Sequence, residues 1–589
     1  MKILLVALNA KYIHSNLAVY SLMAFANKYR DSISLVELTI NHSEEELLKE
    51  IYKEKADVVA FSCYIWNIGI ILRISSELKK VAPGLKIWFG GPEVSYDARQ
   101  CLLENDQLDG IMCGEGEQTF LELVQYYTEG RGGAKPPVRR LKEIPGLAFK
   151  ESAKLDGGFG ERRGEIWITQ PRDPMGLDEI SLPYEDMEAF RNRIIYYESS
   201  RGCPFSCSYC LSSVDKRVRF RSIDLVKKEL KIFLDYRVPQ VKFVDRTFNC
   251  SKRHAMDIWE FIKENDNGIT NFHFEIAADL LEEDEIAFLS TLRPGQVQFE
   301  IGVQSTNPDT VEAIRRKMDF DRVAYNVRRI KQAGNIHQHL DLIAGLPLEG
   351  YESFEKSFGQ VYGLEPDQLQ LGFLKVLKGS PMETDKDCYG IVFRSTPPYE
   401  VLCTNHLSFE EVLRLKGVCE MVEIYYNSGQ FTYSMKFLEH FYGAPMRLYQ
   451  SLGDYYEGTG IAMLAHNRIK RYEILLDFWK EAVLESLTGE DRTSLTEVFG
   501  EILLLDLYLR ENIKSRPAFS PAKSSTNELR GLYDKYRARH SLIHIEKFTF
   551  DILRSAATGT AVRKETTILF DYGNRDMLSR AADMTVLED

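Results

Sequence analysis

The sequence lacks any apolar run long enough to cross a membrane or to act as a secretory leader. Its opening apolar stretch, Ile3-Leu-Leu-Val-Ala-Leu8, is too short for either and reads as a first strand. A cytoplasmic protein is the expectation. A disulfide framework is also lacking, because ten cysteines are scattered over 589 residues. There is no internal repeat and no low-complexity tract. Positive charge is in deficit, with Lys+Arg 74 against Asp+Glu 87 and a net charge of −13. That balance argues against a broad grip on nucleic acid, though a local basic stretch stands at Lys535-Tyr-Arg-Ala-Arg539. Neither nucleic acid nor a membrane is an expected partner.

What is present is ordinary globular material, 44% hydrophobic and 27% charged, in a chain long enough for two to four domains. Residues 1–135 alternate short apolar runs (2–8, 33–40, 57–64, 85–90, 108–113) with helical patterns (16–28, 43–53, 67–81). Five such alternations predict an α/β domain, a doubly wound parallel sheet of Rossmann-like type. Residues 136–194 read as a linker, introduced by the turn-rich Arg131-Gly-Gly-Ala-Lys-Pro-Pro137 and holding a short hairpin around 144–169. From 195 to 390 the alternation returns. Six candidate strands (195–200, 241–248, 272–278, 297–304, 336–343, 368–376) with intervening helices predict a partial (β/α)6, TIM-like barrel, whose site would lie at the strands' C-terminal rim. Residues 391–589 read as mainly helical (408–426, 467–487, 494–509), with a late strand pair at 543–552 and 566–572. Tyr425-Tyr426 and Tyr455-Tyr456 read as packing residues.

The first barrel strand runs into Glu198-Ser-Ser-Arg-Gly-Cys203-Pro-Phe-Ser-Cys207-Ser-Tyr-Cys210. Three thiols on one short loop, spaced C-x3-C-x2-C, can hold three irons of a 4Fe–4S cubane and leave the fourth open. A structural zinc site wants four ligands, and no further Cys or His lies close by in sequence. Buried free thiols are the remaining alternative.

This segment resembles the radical S-adenosylmethionine (radical SAM) superfamily. The resemblance implies that the open iron chelates S-adenosyl-L-methionine and that its reductive cleavage yields a 5′-deoxyadenosyl radical. An external electron donor of flavodoxin or ferredoxin type is implied as well. Tyr209, before the third cysteine, would pack near the adenine. Phe299-Glu-Ile-Gly-Val-Gln-Ser305-Thr-Asn-Pro308 resembles the fourth strand of the coproporphyrinogen-oxidase-like branch, which implies that Gln304 and Ser305 face the ribose and that Arg316 pairs with the methionine carboxylate. Glu275 fits the acidic contact of the third strand. Taken without the resemblance, Arg316 in Arg315-Arg-Lys317 is a solvated helix face and Glu275 a surface strand residue. One departure stands out. The Gly-Gly-Glu found after the second strand in many such proteins is replaced by Val244-Asp-Arg-Thr-Phe-Asn249, and Asp245 is the candidate for its role.

The first domain resembles cobalamin (B12)-binding domains that precede radical SAM barrels. The resemblance rests on Asn9-Ala-Lys-Tyr-Ile-His14-Ser-Asn, on Phe61-Ser62-Cys-Tyr-Ile-Trp66, on Phe89-Gly90-Gly91-Pro92-Glu93 and on Cys113-Gly114-Glu115-Gly116-Glu117, all at carboxyl ends of predicted strands. It implies cobalamin contacts at Tyr12, His14, Ser62, Gly90, Gly91, Gly114 and Glu115. Methionine-synthase-like domains ligate cobalt through D-x-H-x-x-G. Asp and Gly of that pattern are missing around His14, so ligation by His14 stays open beside a solvent-facing or hydrogen-bonded role. A flavodoxin-like domain with another ligand or none is the alternative.

The whole chain is similar to a family of cobalamin-binding radical SAM proteins with an uncharacterised C-terminal domain. That family implies an enzyme, a methyltransferase delivering a methyl group to an unactivated carbon of an unknown organic substrate. Non-methylating rearrangement or cyclisation, a cobalamin or redox sensor, and a tRNA-modifying methylthiotransferase are the alternatives. Cys388, Cys403 and Cys419 read as small buried hydrophobes rather than ligands of an auxiliary cluster. The C-terminal region reads as a lid on the substrate cavity or a docking element for a macromolecular substrate.

Overall fold

The computed structural model describes residues 1–129, 140–151, 153–154, 161–162, 165–184, 186–462, 464–487, 492–513, 515–521, 526–537, 540 and 542–587. The turn-rich 131–137 stretch and positions 538 and 539 of the basic stretch lie outside them. The chain divides into two compact units. One comprises Met1–Glu285, Ile314–Lys317 and Leu374–Leu402; the other comprises Ile286–Ala313, Met318–Phe373 and Cys403–Asp589.

The first unit opens with β1 (Ile3–Asn9), β2 (Ile33–Thr39), β3 (Val58–Ser62), β4 (Lys86–Gly90) and β5 (Gly110–Met112). They form a parallel ladder in the order β2-β1-β3-β4-β5. β1 is apolar at every position because both of its faces are covered. Leu4, Val6 and Leu8 enter one core with Ile71 and Leu78 of the helix Ile68–Val81; Ile3, Leu5 and Ala7 enter the other with Phe120 and Val124 of the helix Glu117–Glu129. Each such fully buried aliphatic side chain stabilises the fold by about 1.5–3 kcal/mol. Strand order reverses between β1 and β3, the switch point where sheets of this type bind ligands.

The expected linker is part of this sheet. β6 (Leu147–Lys150) pairs antiparallel with β5, and β7 (Ile166–Ile168) pairs antiparallel with β6. Residues 136–194 therefore do not merely cross between domains. Leu147 and Phe149 complete the core beside Trp88, which their apolar character already favours.

Next come β8 (Ile195–Tyr197), β9 (Gln240–Phe243) and β10 (Asn271–Ile276), parallel and in sequence order. The helices Ile223–Asp235 and Lys252–Glu264 connect them. Aromatic packing fixes this half of the α/β segment, with the Phe248 and Phe274 ring centroids 4.2 Å apart. The second unit holds the other half: β11 (Val297–Gln304), β12 (His337–Ala344) and β13 (Gln368–Phe373), again parallel, with the helices Phe320–Ala333 and Tyr351–Tyr362 between them. Leu374–Leu402, which runs across the expected domain boundary at 390, packs compactly with the first unit.

The C-terminal region is less purely helical than expected. Its helices Phe409–Val422, Thr432–Glu439, Pro445–Gly458 and Arg492–Arg510 are followed by an antiparallel sheet of β14 (Ile543–Phe550), β15 (Arg563–Arg575) and β16 (Ala582–Leu587). A π-turn at Glu423–Asn427 presents Asn427 to β13, where its side chain accepts from the Leu369 N–H and donates to the Leu369 C=O, both at 2.9 Å. Tyr425 and Tyr456 are core residues with hydroxyls 2.8 Å apart. Cys388 is exposed and Cys403 and Cys419 are half-buried, so the expectation of buried thiols fails there. No helix among the described residues is long and apolar enough to cross a membrane.

Asp506 is buried in the helix Arg492–Arg510 and accepts from Tyr433 N–H, Ser434 N–H and Ser434 Oγ at 3.0, 2.7 and 2.7 Å. Burial pushes its carboxyl up to about 7, outweighing those bonds. The folded chain thus holds this proton more tightly than the unfolded chain does. The stabilisation it gives is complete below about pH 4 and is lost as pH rises through about 7. Asp506→Asn is expected to remove that slope, which is worth roughly 4 kcal/mol across the window. Denaturant unfolding at several pH values measures it, and parallel profiles for the two proteins would refute the assignment.

Candidate functional site

A cavity of 1140 Å³ lies within the first unit. One wall is the carboxyl edge of the first sheet: Asn9 ending β1, Ser62 ending β3, Gly90 ending β4 with Gly91 following it, and Gly114 to Glu117 after β5. The other wall is built from Tyr196 to Gly202, from residues 211–217 and from Val244 and Arg246. The cysteine loop lies in sequence between the first and second of these stretches.

Glycine shapes the first wall. Gly91 has φ +114°, and a Cβ there would meet the Cys63 carbonyl oxygen at 2.4 Å. Gly114 has φ +77° and nothing within 4 Å of its would-be Cβ, so the missing side chain leaves room in the cavity. His14 and Ser62 also line the cavity; Tyr12 does not, and its exposed ring lies under the Arg193 guanidinium at 4.9 Å. Glu115 lines the cavity but is bound by Arg219 and Arg201.

The His14 loop is held from both sides. Asn9 Nδ2 donates to the His14 carbonyl at 3.1 Å and to Glu37 at 2.9 Å, and Glu37 also accepts from Asn16 N–H, Tyr20 Oη and Arg193. From the other side, Ile194 N–H donates to the Ile13 carbonyl at 2.9 Å and Ser15 Oγ donates to the Ile194 carbonyl at 3.0 Å. Tyr196 Oη lies 2.7 Å from His14 Nδ1. Burial, with Lys11 and Lys242 nearby, holds the imidazole below its ordinary value.

The cysteine loop is pinned through its backbone. Cys203 N–H donates to the Asp215 carbonyl at 3.2 Å, Ser208 N–H to the Ile314 carbonyl at 2.9 Å, and Met382 N–H to the Ser208 carbonyl at 2.8 Å. Gly202 has φ +98°, and a Cβ would meet the Arg217 carbonyl oxygen at 2.4 Å. Cys203 and Cys207 are buried and Cys210 is half-buried. Arg316 Nη1 lies 3.8 Å from Cys207 Sγ and 3.4 Å from Tyr209 Oη, so the structure brings Cys207, Tyr209 and Arg316 together. Burial pushes the Cys207 thiol up, and the adjacent Arg316 opposes that rise. Among the described residues no three Cys, His, Asp or Glu side chains are grouped to hold a single metal ion.

Asp245 is placed differently from its expected role. Val244 and Arg246 line the cavity, but Asp245 between them is fully buried. It accepts from Ser199 N–H at 3.0 Å, Ser199 Oγ at 2.7 Å and Ser200 Oγ at 2.5 Å, and burial lifts its carboxyl to about 6. It braces the turn leading into the cysteine loop. Glu275 is half-buried on β10. In the second unit, Gln304 ends β11 at φ +72°, and its buried Oε1 has no partner among the described residues. Ser305 Oγ donates to Glu349 at 2.7 Å and accepts from Asn307 N–H at 3.1 Å.

Sequence reasoning missed Arg201, the residue before Gly202. It meets Glu198 at 2.7 Å, Glu117 at 2.9 Å and Glu115 at 3.3 Å, tying the loop after β5 to the approach to the cysteines. Two acidic residues two apart at a strand exit, with an Arg beside the cysteine motif, were the available signal.

Three family models match the chain in succession: a B12 binding domain over residues 3–124, the radical SAM superfamily over 197–361 and a protein of unknown function (DUF4080) over 387–570. The chain is 26% identical over 336 residues to an uncharacterized methyltransferase of Pyrococcus horikoshii, covering 55% of this chain and 68% of that protein. It is 25% identical over 461 residues to the cobalamin-dependent radical SAM methyltransferase TokK of Streptomyces tokunonensis, covering 72% and 64%. The chain thus spans about two thirds of the length of these two curated relatives, 68% and 64%. Its fold is similar to that of the cobalamin-dependent S-adenosylmethionine radical enzyme OxsB, with a TM-score of 0.56 at 15% identity over 86% of this chain and 80% of that chain.

The two glycines of the first wall differ in what a methyl group would meet. Gly91→Ala and Gly114→Ala both place alanine at positive φ, but only the former strikes backbone. Gly91→Ala is expected to cost about 1–3 kcal/mol more than Gly114→Ala. Thermal unfolding of the two variants reads the difference, and equal costs would refute the close approach of Gly91 to Cys63.

Proposed function

We propose that this chain, which joins a B12-binding domain, a radical SAM domain and a DUF4080 domain in that order, is a cobalamin-dependent radical SAM enzyme that methylates an unactivated carbon of an organic substrate. The observation that carries this reading is a cavity walled on one side by glycine-rich strand exits and on the other by residues flanking the cysteine loop. When bound, a 4Fe–4S cluster with S-adenosylmethionine supplies a 5′-deoxyadenosyl radical, and cobalamin supplies a transferable methyl group.

The residues fit these groups. Cys203, Cys207 and Cys210 offer three thiolates, which would leave one iron of four without a protein ligand. Arg316 would hold the methionine carboxylate, since its planar fork donates two charge-assisted bonds, and Tyr209 would flank the adenine. The unpartnered Gln304 Oε1 suits a hydroxyl donor of the ribose, with Ser305 fixing the turn through Glu349. Glu275 would accept from an ammonium or from hydroxyls, and Asp245 braces the cysteine turn. Gly90, Gly91 and Gly114 let the backbone approach a broad planar macrocycle, with Ser62, Glu115, His14 and, at the margin, Tyr12 beside it. An external one-electron donor of flavodoxin or ferredoxin type completes the system.

Anaerobic turnover with S-adenosylmethionine and dithionite is expected to yield 5′-deoxyadenosine together with S-adenosylhomocysteine and a methylated product. Deoxyadenosine without the other two would reject methyl transfer and favour a rearrangement or cyclisation. Neither product from protein with an intact cluster would favour a sensor. Replacing Cys203, Cys207 and Cys210 together by Ala is expected to abolish iron binding and all products. Arg316→Lys should keep the iron but weaken S-adenosylmethionine binding by about tenfold or more, the loss of one charge-assisted hydrogen bond. Unchanged affinity in equilibrium dialysis would remove Arg316 from the site.

A further inference from the structure

We infer that the cavity takes a substrate bearing an oxyanion, a carboxylate or a phosphate, and that Arg246 is the residue that anchors it. The inference rests on the enzyme reading above and deepens it by naming the substrate's chemistry. It starts from the charges on the cavity walls. The carboxylates Glu115, Glu117 and Glu198 turn to Arg201, and Glu115 and Asp215 turn to Arg219. Arg172 is taken by Glu122 at 2.6 Å, and Arg217 is largely in solvent, 3.9 Å from Asp215. Arg246 stands apart from this set. It lines the cavity and is exposed there, and its guanidinium has no hydrogen-bond or ion-pair partner among the described residues. Its neighbour Asp245 offers no compensation, because that carboxylate points the other way, into Ser199 and Ser200.

The position of this cation is fixed by its own turn. Val244 N–H donates to the Tyr197 carbonyl at 2.9 Å, and Thr247 Oγ1 donates to the Arg246 carbonyl at 2.8 Å. Asn249 ties the turn to the exit of β10, donating to the Ala277 carbonyl and accepting from the Ala277 N–H, both at 2.9 Å. Thr247 Oγ1 also lies 3.7 Å from Cys203 Sγ, so the backbone that carries Arg246 abuts the cysteine loop. On the opposite wall Tyr64 feels the charge: burial raises its hydroxyl, while the Ser62 side chain and Arg246 oppose the rise. A guanidinium enclosed with a bulky occupant loses water and needs an anion in exchange. Its planar fork matches a carboxylate or a phosphate with two parallel charge-assisted bonds. The methionine carboxylate is assigned above to Arg316, which stands on a different element beside Cys207. Arg246 is then left for the molecule that reacts, held by its charged end while the rest of it occupies the cavity.

The test is isothermal titration of inorganic phosphate, and separately of acetate, into the full-length protein reconstituted with its cluster, cobalamin and S-adenosylmethionine, at low ionic strength and without oxygen. Saturable binding of at least one anion is expected, and the tighter of the two names the oxyanion. Arg246→Gln should weaken that binding by about tenfold or more, the loss of a charge-assisted pair. Arg246→Lys, which keeps the charge but not the fork, should fall between. Arg217→Gln should change it by less than about twofold, because an exposed charge is screened. No binding in the wild type, or equal binding in Arg246→Gln, would overturn the inference. So would a loss of about tenfold in S-adenosylmethionine or cobalamin affinity in Arg246→Gln, which would give the residue to the methionine carboxylate or to the phosphodiester of the cobalamin tail. Normal uptake of both cofactors with no Arg246-dependent anion binding defeats only this inference. Protein that takes up neither cofactor, yet binds the anion through Arg246, defeats the cofactor reading and leaves the anchor in place.

Discussion

The site depends first on a half-buried cation. Arg201 is gripped by Glu198 from its own strand exit and by Glu117 and Glu115 from the loop after β5. A guanidinium withdrawn from water needs such partners, and the carboxylates need it in return. Because Arg201 is followed directly by Gly202 and Cys203, the same ion group sets where the cysteine loop begins. The glycine-rich edge of the first sheet and the thiols are therefore positioned against one another by charge, and the cavity between them has fixed walls.

A second brace works through the segment Leu374–Leu402, which packs with the first unit although it follows β13 in the chain. Tyr399 donates to the buried Glu93, and Lys378 pairs with Asp97 at 2.9 Å, both just beyond Gly91. Gly379 lies against Tyr96, and Met382 donates its N–H to Ser208 inside the cysteine loop. One strap thereby touches the helix that follows the cradle and the loop that carries the thiols. Burial raises the Glu93 carboxyl, so its hydroxyl and ammonium neighbours are what make that position tolerable.

Much of this was legible in order along the chain. β1, buried on both faces, shows as an unbroken apolar run, and the helix–strand alternation gave the parallel order. The C-x3-C-x2-C spacing named a metal loop because few other arrangements need three thiols so close. Asp245 is buried while Val244 and Arg246 line the cavity, because neighbouring residues at a strand exit point to opposite sides, and sequence does not say which one faces the cavity. β6 and β7 fall where a short hairpin was expected around 144–169, but their joining of the first sheet was not foreseen, because short strands among Gly and Pro carry little periodic signal. The clamp between His14 and Tyr196 had no local signature at all, since the two residues meet only after the α/β half has docked its first strand beside β1's loop. Cys388 was assigned to the interior on composition, where position on a turn decided otherwise.

Asn427 bears on a different property of the molecule. Among the described residues the last parallel strand, β13, has a strand neighbour on one side only, and an open row of peptide groups invites pairing with another chain. By offering its amide as a stand-in peptide to Leu369, with Tyr426 donating to the Pro366 carbonyl at 2.5 Å, the C-terminal region occupies that row. Its contribution thus includes solubility. A shortened protein ending after β13 would carry a sticky margin, and self-association rather than loss of chemistry would be its first defect.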